Sequence, residues 1–171
     1  MATKVKEIPK RNYIILIGLM VLVVCACFAF YNVHNIMHDN IISESPLANK
    51  EITLEDLNDA SIDMAANTFF VISYKKDEKV YDNEKGIKKL LNKYNLMDNV
   101  VYLDVTDLML EEDYLDKINN SLNLKDSKAI KKVPAVIYYD ESEPVLIIDS
   151  TDHLLYDGDF QRIIDSYELA S

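Results

Sequence analysis

The chain opens its pattern with a run that carries no charge. From Ile14 to Phe30 every position is apolar apart from the weakly apolar Gly18, and Tyr13 and Tyr31 bracket the run. Amphipathic rings at both ends are what a helix places at headgroup level. The ~19 residues from Tyr13 to Tyr31, at ~1.5 Å rise each, span about 28 Å, close to the ~30 Å hydrocarbon core of a bilayer. A membrane-spanning helix over 13–31 is therefore predicted. Residues 32–50 turn polar and mixed, with Ser43-Glu44-Ser45-Pro46 near the middle. They read as a juxtamembrane extension of the helix that fades into a linker.

From Glu51 the periodicity becomes that of a folded domain, 51–171. Thr53-Leu54-Glu55-Asp56 resembles a capping box, and Leu54, Leu57 and Ile62 predict a short amphipathic helix to about Ala65. Thr68–Tyr74 is a near-continuous β-favouring run, as expected of a strand buried on both faces. Lys75–Lys79 is charged and predicted exposed. Tyr81–Tyr94 carries Ile87, Leu90, Leu91 and Tyr94 at helix spacing, with lysines opposite. Val100–Val105 is a second buried strand. Glu111–Leu122 is a helix with Tyr114, Leu115, Ile118 and Leu122 on one side. Val133–Tyr139 is a third strand, opened by Pro134 where a ladder N–H can be spared. Val145–Asp149 is a fourth, joined to it by the turn Asp140–Pro144, and Asp159–Leu169 closes as a helix with Phe160, Ile163, Ile164 and Tyr167 inward. The order α-β-α-β-α-β-β-α predicts an α/β domain: a four-stranded mixed sheet, its last two strands an antiparallel hairpin, with helices on both faces.

Charge sharpens this division. The formal net charge is −11. Four of the 18 basic residues (Lys4, Lys6, Lys10, Arg11) and one of the 29 acidic ones (Glu7) precede the span, which leaves 14 against 28 behind it, a net of −14. A domain so acidic repels phosphate, and a nucleic-acid partner is excluded on that ground. The basic residues before the span predict residues 1–12 in the cytoplasm and the domain outside, at the cell membrane. Two alternatives start from the same residues. A secretory signal cleaved after Ala29 would use Cys27 and Ala29 as its small residues, and Val24-Cys25-Ala26-Cys27 could act as a lipobox with Cys27 lipidated. Cys25 inside that box, Phe28 after it and the apolar run beyond it favour the uncleaved helix.

Both cysteines, Cys25 and Cys27, lie in the span, so the domain has no disulfide, no thiolate-ligated zinc and no thiol nucleophile. His34 and His38 stand at i, i+4 with Asp39 adjacent, a spacing that can hold a metal. Without a glutamate in the metalloprotease position they suggest no hydrolysis, and they read as polar interfacial residues. No cofactor is implied. The acidic stretches at Asp140–Glu143 and Asp149–Asp159 lack the alternation and central glycine of a calcium loop and read as solvated turns, Asp157 and Asp159 serving the start of a helix. His153, beside Ser150 and Asp152, has no nucleophile elbow before it and reads as a loop residue. Nothing singles out one carboxylate pair for general acid–base work, and no catalytic residue is assigned.

The element order resembles that of thioredoxin. Phe69–Tyr74 resembles the strand leading into that family's active-site loop, Asn99–Thr106 (NVVYLDVT) the strand beside it, and Lys132–Tyr138 the strand that opens with the family's cis-proline. The domain is also similar to small membrane-attached thioredoxin-like proteins of the bacteriocin transport accessory type. The resemblance implies a Cys-x-x-Cys at the start of the helix after the first core strand, and here that tetrapeptide falls on Glu78-Lys79-Val80-Tyr81. Exchange needs one thiolate to attack and a second thiol to resolve the mixed disulfide, so the redox activity does not carry over. What the resemblance leaves is a peptide-binding groove at Val133 and Pro134, faced by Tyr74, Glu78 and Tyr81, where strand addition needs only free backbone groups. The expectation is a membrane-anchored, non-catalytic module for a protein or peptide partner. A redox accessory that depends on a partner's thiols is the alternative.

Overall fold

The computed structural model describes residues 10–57, 66–124, 128–140 and 143–170, which fall into two compact units, Met1–Ile41 and Ile42–Ser171. The first is built on helix α1, Lys10–Ile42. Its stretch Arg11–Met37 has a mean hydropathy of 2.9 and is long and apolar enough to cross a membrane. The helix therefore continues about three turns past the span predicted from the run alone, through the polar residues after Tyr31.

In the second unit β1 (Glu51–Ile52), β2 (Thr68–Ser73), β3 (Val100–Asp104), β4 (Ala135–Asp140) and β5 (Glu143–Asp149) form one sheet in the order β1-β3-β2-β4-β5. β1 and β2 run parallel to β3; β4 runs antiparallel to β2, and β5 antiparallel to β4. This corrects the expected four strands to five. The missed strand is two residues long, Glu51 and Ile52 beside Tyr102 and Leu103, too short to show a period of its own. The element order predicts that strands separated by helices run parallel; β2 and β3 do, whereas β4, although a helix separates it from β3, runs antiparallel to β2, which corrects that expectation.

Helices α2 (Glu78–Lys93), α3 (Tyr114–Ser121) and α4 (Asp157–Ser166) cover the sheet. Because successive side chains of a strand point to opposite faces, the central strands feed two cores. Phe69, Val71, Val136 and Tyr138 pack with Ile87 and Leu91 of α2 and with Phe160, Ile163 and Ile164 of α4. Phe70, Ile72, Ala135, Ile137 and Tyr139 pack with Ile118 of α3, Leu122, Val133 and Leu57. Each fully buried side chain of this size stabilises by roughly 1.5–3 kcal/mol, which is why β2, buried at all six positions, reads in sequence as a continuous apolar run.

The predicted capping box is present: Asp56 N–H donates to Thr53 Oγ1 and Thr53 N–H to an Asp56 carboxylate oxygen. The helix expected to follow it falls on 58–65, outside the described residues. The segment expected as linker is corrected at its C-terminal end. Leu47 is fully buried in the α2–α4 core, and Ser45 bonds to Glu84 of α2, so the packed part begins before Glu51. A single apolar residue in a polar stretch carries no periodic signal.

Candidate functional site

The residues singled out for peptide binding converge on one end of the sheet, where β2 stops, α2 starts and β4 begins. The β2–β4 register pairs Ile72 with Ala135. Continued two residues, it sets Ser73 beside Pro134 and Tyr74 beside Val133, just beyond the last ladder pair. The Val133–Pro134 peptide is cis. Val133 belongs to the α3-side core and Tyr74 packs against the same cluster, half-buried. Burial, then the charge of Asp77, raises the Tyr74 hydroxyl above its ordinary value. Tyr74, Val133 and Pro134 are thus brought together. Glu78 is exposed, and Tyr81 lies one turn along α2 with the Lys85 ammonium 5.5 Å above its ring.

The loop between β2 and α2 is fixed by polar contacts. Lys75 N–H donates to Thr106 Oγ1 at 2.8 Å, and Lys75 Nζ reaches Asp104 at 2.9 Å and Glu51 at 3.0 Å. Burial alone would lower the Lys75 ammonium, but hydrogen bonds to Asp104 and Glu51 outweigh it and raise it. Burial likewise pushes Asp104 upward, and bonds from Thr106 and Lys75 more than reverse it, leaving the carboxyl below its ordinary range. Lys76 sits at φ 66°, the reversal that turns the chain into α2. The helix then starts three residues earlier than its apolar periodicity shows, because Asp77 caps it: its carboxylate accepts Lys79 N–H at 2.9 Å and Val80 N–H at 3.0 Å. An aspartate directly before a run ending in Ile87, Leu90 and Leu91 is the signal that locates this start.

Behind the loop lies a polar cluster that periodicity does not reveal. Glu84 is 4 % exposed. Ser73 Oγ donates to one of its carboxylate oxygens at 2.6 Å and Ser45 Oγ to the other at 2.5 Å. Burial raises the carboxyl, against the bonds from Ser45 and Ser73. Tyr102 on β3 is buried beside it, its hydroxyl without a hydrogen-bond partner among the described residues and pushed upward by burial, then by the Glu84 charge. Glu84 stands on the same face of α2 as Val80, Ile87 and Leu91, a charged residue on the apolar stripe, and its tertiary partners show how the carboxyl is accommodated there.

The other candidates separate. Cys25 and Cys27 are two residues apart in the continuous helix α1, about 200° around its axis, so they point to opposite sides and do not face each other. Among the described residues no group of three or more His, Cys, Asp or Glu has metal-binding placement; the side chain of His38 lies outside the description. The acidic stretch 149–159 departs from the solvated turn expected. Asp159 is fully buried, accepting Tyr156 N–H at 3.2 Å, facing His153 Nε2 at 3.1 Å and paired with Arg162. His153 is therefore tied to the start of α4, and its ring meets Tyr156 edge-on. Of the other stretch, Asp140 and Glu143 are exposed, while 141–142 lie outside the described residues.

No family model and no curated protein matches the chain. Among solved structures it is similar to thioredoxin O2 from Arabidopsis thaliana in its oxidized state, at 14 % identity over 70 % of this chain and 95 % of that one, with a TM-score of 0.44. It is also similar to a designed protein, at 15 % identity over 75 % and 98 % of the two chains and a TM-score of 0.43. Both likenesses are distant, and the fold stands on the strand order and directions.

Proposed function

We propose that this chain is a membrane-anchored, non-catalytic thioredoxin-like module that holds its acidic domain outside the cell membrane and binds an extended segment of a protein partner at the Tyr74–Val133 end of the sheet. The observation that carries the proposal is the state of the α2 N-terminus. The backbone N–H groups that would stabilise a thiolate there are taken by the carboxylate of Asp77, and no cysteine stands in residues 51–171. Binding needs no thiol: Val133 lies outside the ladder, beside a half-buried tyrosine, and strand addition uses backbone groups. The finer resemblance, to membrane-attached proteins of the bacteriocin transport accessory type, fits an anchor followed by one such domain.

The test is photo-crosslinking in membranes of the cell that makes the protein, with a photoreactive residue replacing Tyr74 and, as control, the exposed Lys89 on α2. A discrete adduct from position 74, lost in Val133→Lys, supports the proposal; equal adducts from both positions refute it. The redox alternative is decided by insulin reduction with the full chain in detergent, where any turnover above the Cys25→Ser/Cys27→Ser variant establishes it.

A further inference from the structure

The outer edge of the sheet is a second surface with the geometry of a binding site, independent of the one at Tyr74–Val133. β5 is the last strand in the order, and among the described residues nothing pairs with its outer side. Alternate N–H and C=O groups of an edge strand point away from its neighbour and remain free to pair with another chain. The first half of β5 is blunted. Pro144 brings no donor, the register with β4 shifts at Tyr138/Tyr139, and Lys128 Nζ donates to the Pro144 carbonyl at 3.1 Å. The second half, Leu146–Asp149, carries none of these devices.

Both faces of that half are hollowed. On the α4 side, Leu146 and Ile148 border a concavity of about 360 Å³ with His153, Arg162 and Ser166. On the opposite side, Ile147 borders one of about 300 Å³ with Lys128, Ala129 and Thr151. A strand laid along β5 would send successive side chains alternately to the two faces, toward one concavity and then the other. Two hollows flanking one free edge are what an added strand fills.

Charge selects the occupant. Asp149 and Asp152 line both concavities and Glu143 opens the strand; on the side opposite α4 Lys128 and Lys131 stand beside them, so the uncompensated carboxylates are those facing the α4 side. Arg162, the cation on the α4 side, is already paired with the buried Asp159. A second copy in antiparallel register over the whole strand would set Glu143 opposite Asp149, like charges facing one another in a domain of net −14. We propose that the free edge of β5, Leu146–Asp149, is a strand-addition site for an extended peptide segment with a β-branched apolar centre and flanking lysine or arginine residues.

The experiment uses the full chain in nanodiscs of zwitterionic lipid. The probe is a synthetic nine-residue peptide of alternating valine and threonine between paired lysines; its twin carries paired glutamates. Saturable binding by fluorescence anisotropy, with slowed amide exchange confined to Leu146–Asp149, is expected for the lysine peptide. Glu143→Lys/Asp152→Lys, two exposed positions, should weaken that peptide about tenfold or more and bind the glutamate peptide instead, a gain that also reports an intact fold. Failure of the unsubstituted chain to bind either peptide overturns the proposal. So does binding that protects other amides or ignores the charge reversal, and so does self-association of the chain that accounts for protection at β5.

Discussion

Glu84 is where one side chain decides most about this domain. A carboxyl whose folded pKa lies above its unfolded value, here through burial first, holds its proton more readily in the native state. Its contribution to stability is complete below the unfolded value of ~4.3 and is lost as pH rises through the folded one. Asp104 and Asp149 act with opposite sign: both are held low, so their contribution exists above the unfolded ~3.9 and falls away as pH drops through their folded values. Glu84→Gln keeps the shape and removes only the titration at this site. The thermal midpoint of the wild type relative to Glu84→Gln should therefore be highest at acidic pH and decline toward neutrality, the aspartates cancelling in the comparison. A difference independent of pH would refute the assignment. The position was legible in the helix pattern, since Glu84 falls on the stripe of Val80, Ile87 and Leu91; its partners were not, because Ser45 and Ser73 lie 39 and 11 residues away in sequence.

At the scale of elements, sequence and structure agree where periodicity is long and part where an end is set by a cap. β2 and β3 are legible because each is bounded and nearly continuously apolar, and α2 because Ile87 and Leu91 recur at helix spacing. The start of α2 needed Asp77; Asp159, expected at the start of a helix, does accept Tyr156 N–H there, and only the boundary moves, two residues earlier than expected. Asp159 is the more exposed to test. Asp159→Ala removes the partner of Tyr156 N–H, His153 and Arg162 together and should cost about 1–3 kcal/mol in chemical denaturation. His153→Ala, on a side chain 45 % exposed, should cost under about 1 kcal/mol. Equal losses would mean that the histidine, not the cap, holds α4 in place. The candidate residues came from the family resemblance; the strand register brings Tyr74, Val133 and Pro134 to one end of the sheet, and the ungapped count set Glu78 where α2 begins.

For the whole molecule, α1 and the acidic domain make different demands on their surroundings. On the proposed orientation the basic residues before the span stay on the cytoplasmic side and the net −14 behind it lies on the other. In inverted and right-side-out membrane vesicles, a protease should therefore degrade the domain only in the right-side-out preparation; degradation in inverted vesicles alone would reverse the orientation. A helix long and apolar enough to cross a membrane was legible from the first thirty residues, since that needs only length and composition. The sheet order was not, since it depends on a two-residue strand and on packing between positions distant in the chain.

The cap on α2 has one more consequence, in the direction of what this scaffold could regain. Asp77 shows that the first turn still offers two convergent N–H donors to an anion, and a sulfur anion would satisfy them as an oxygen anion does. Val80, three residues on, is near enough along the same helix face for a second sulfur. Asp77→Cys/Val80→Cys should then convert a thiol-free domain into a measurable insulin reductase with dithiothreitol as reductant, while Asp77→Cys alone, lacking the resolving thiol, should turn over only as fast as dithiothreitol itself clears the mixed disulfide. The side chains would then supply the chemistry, and the helix N-terminus its electrostatic cradle.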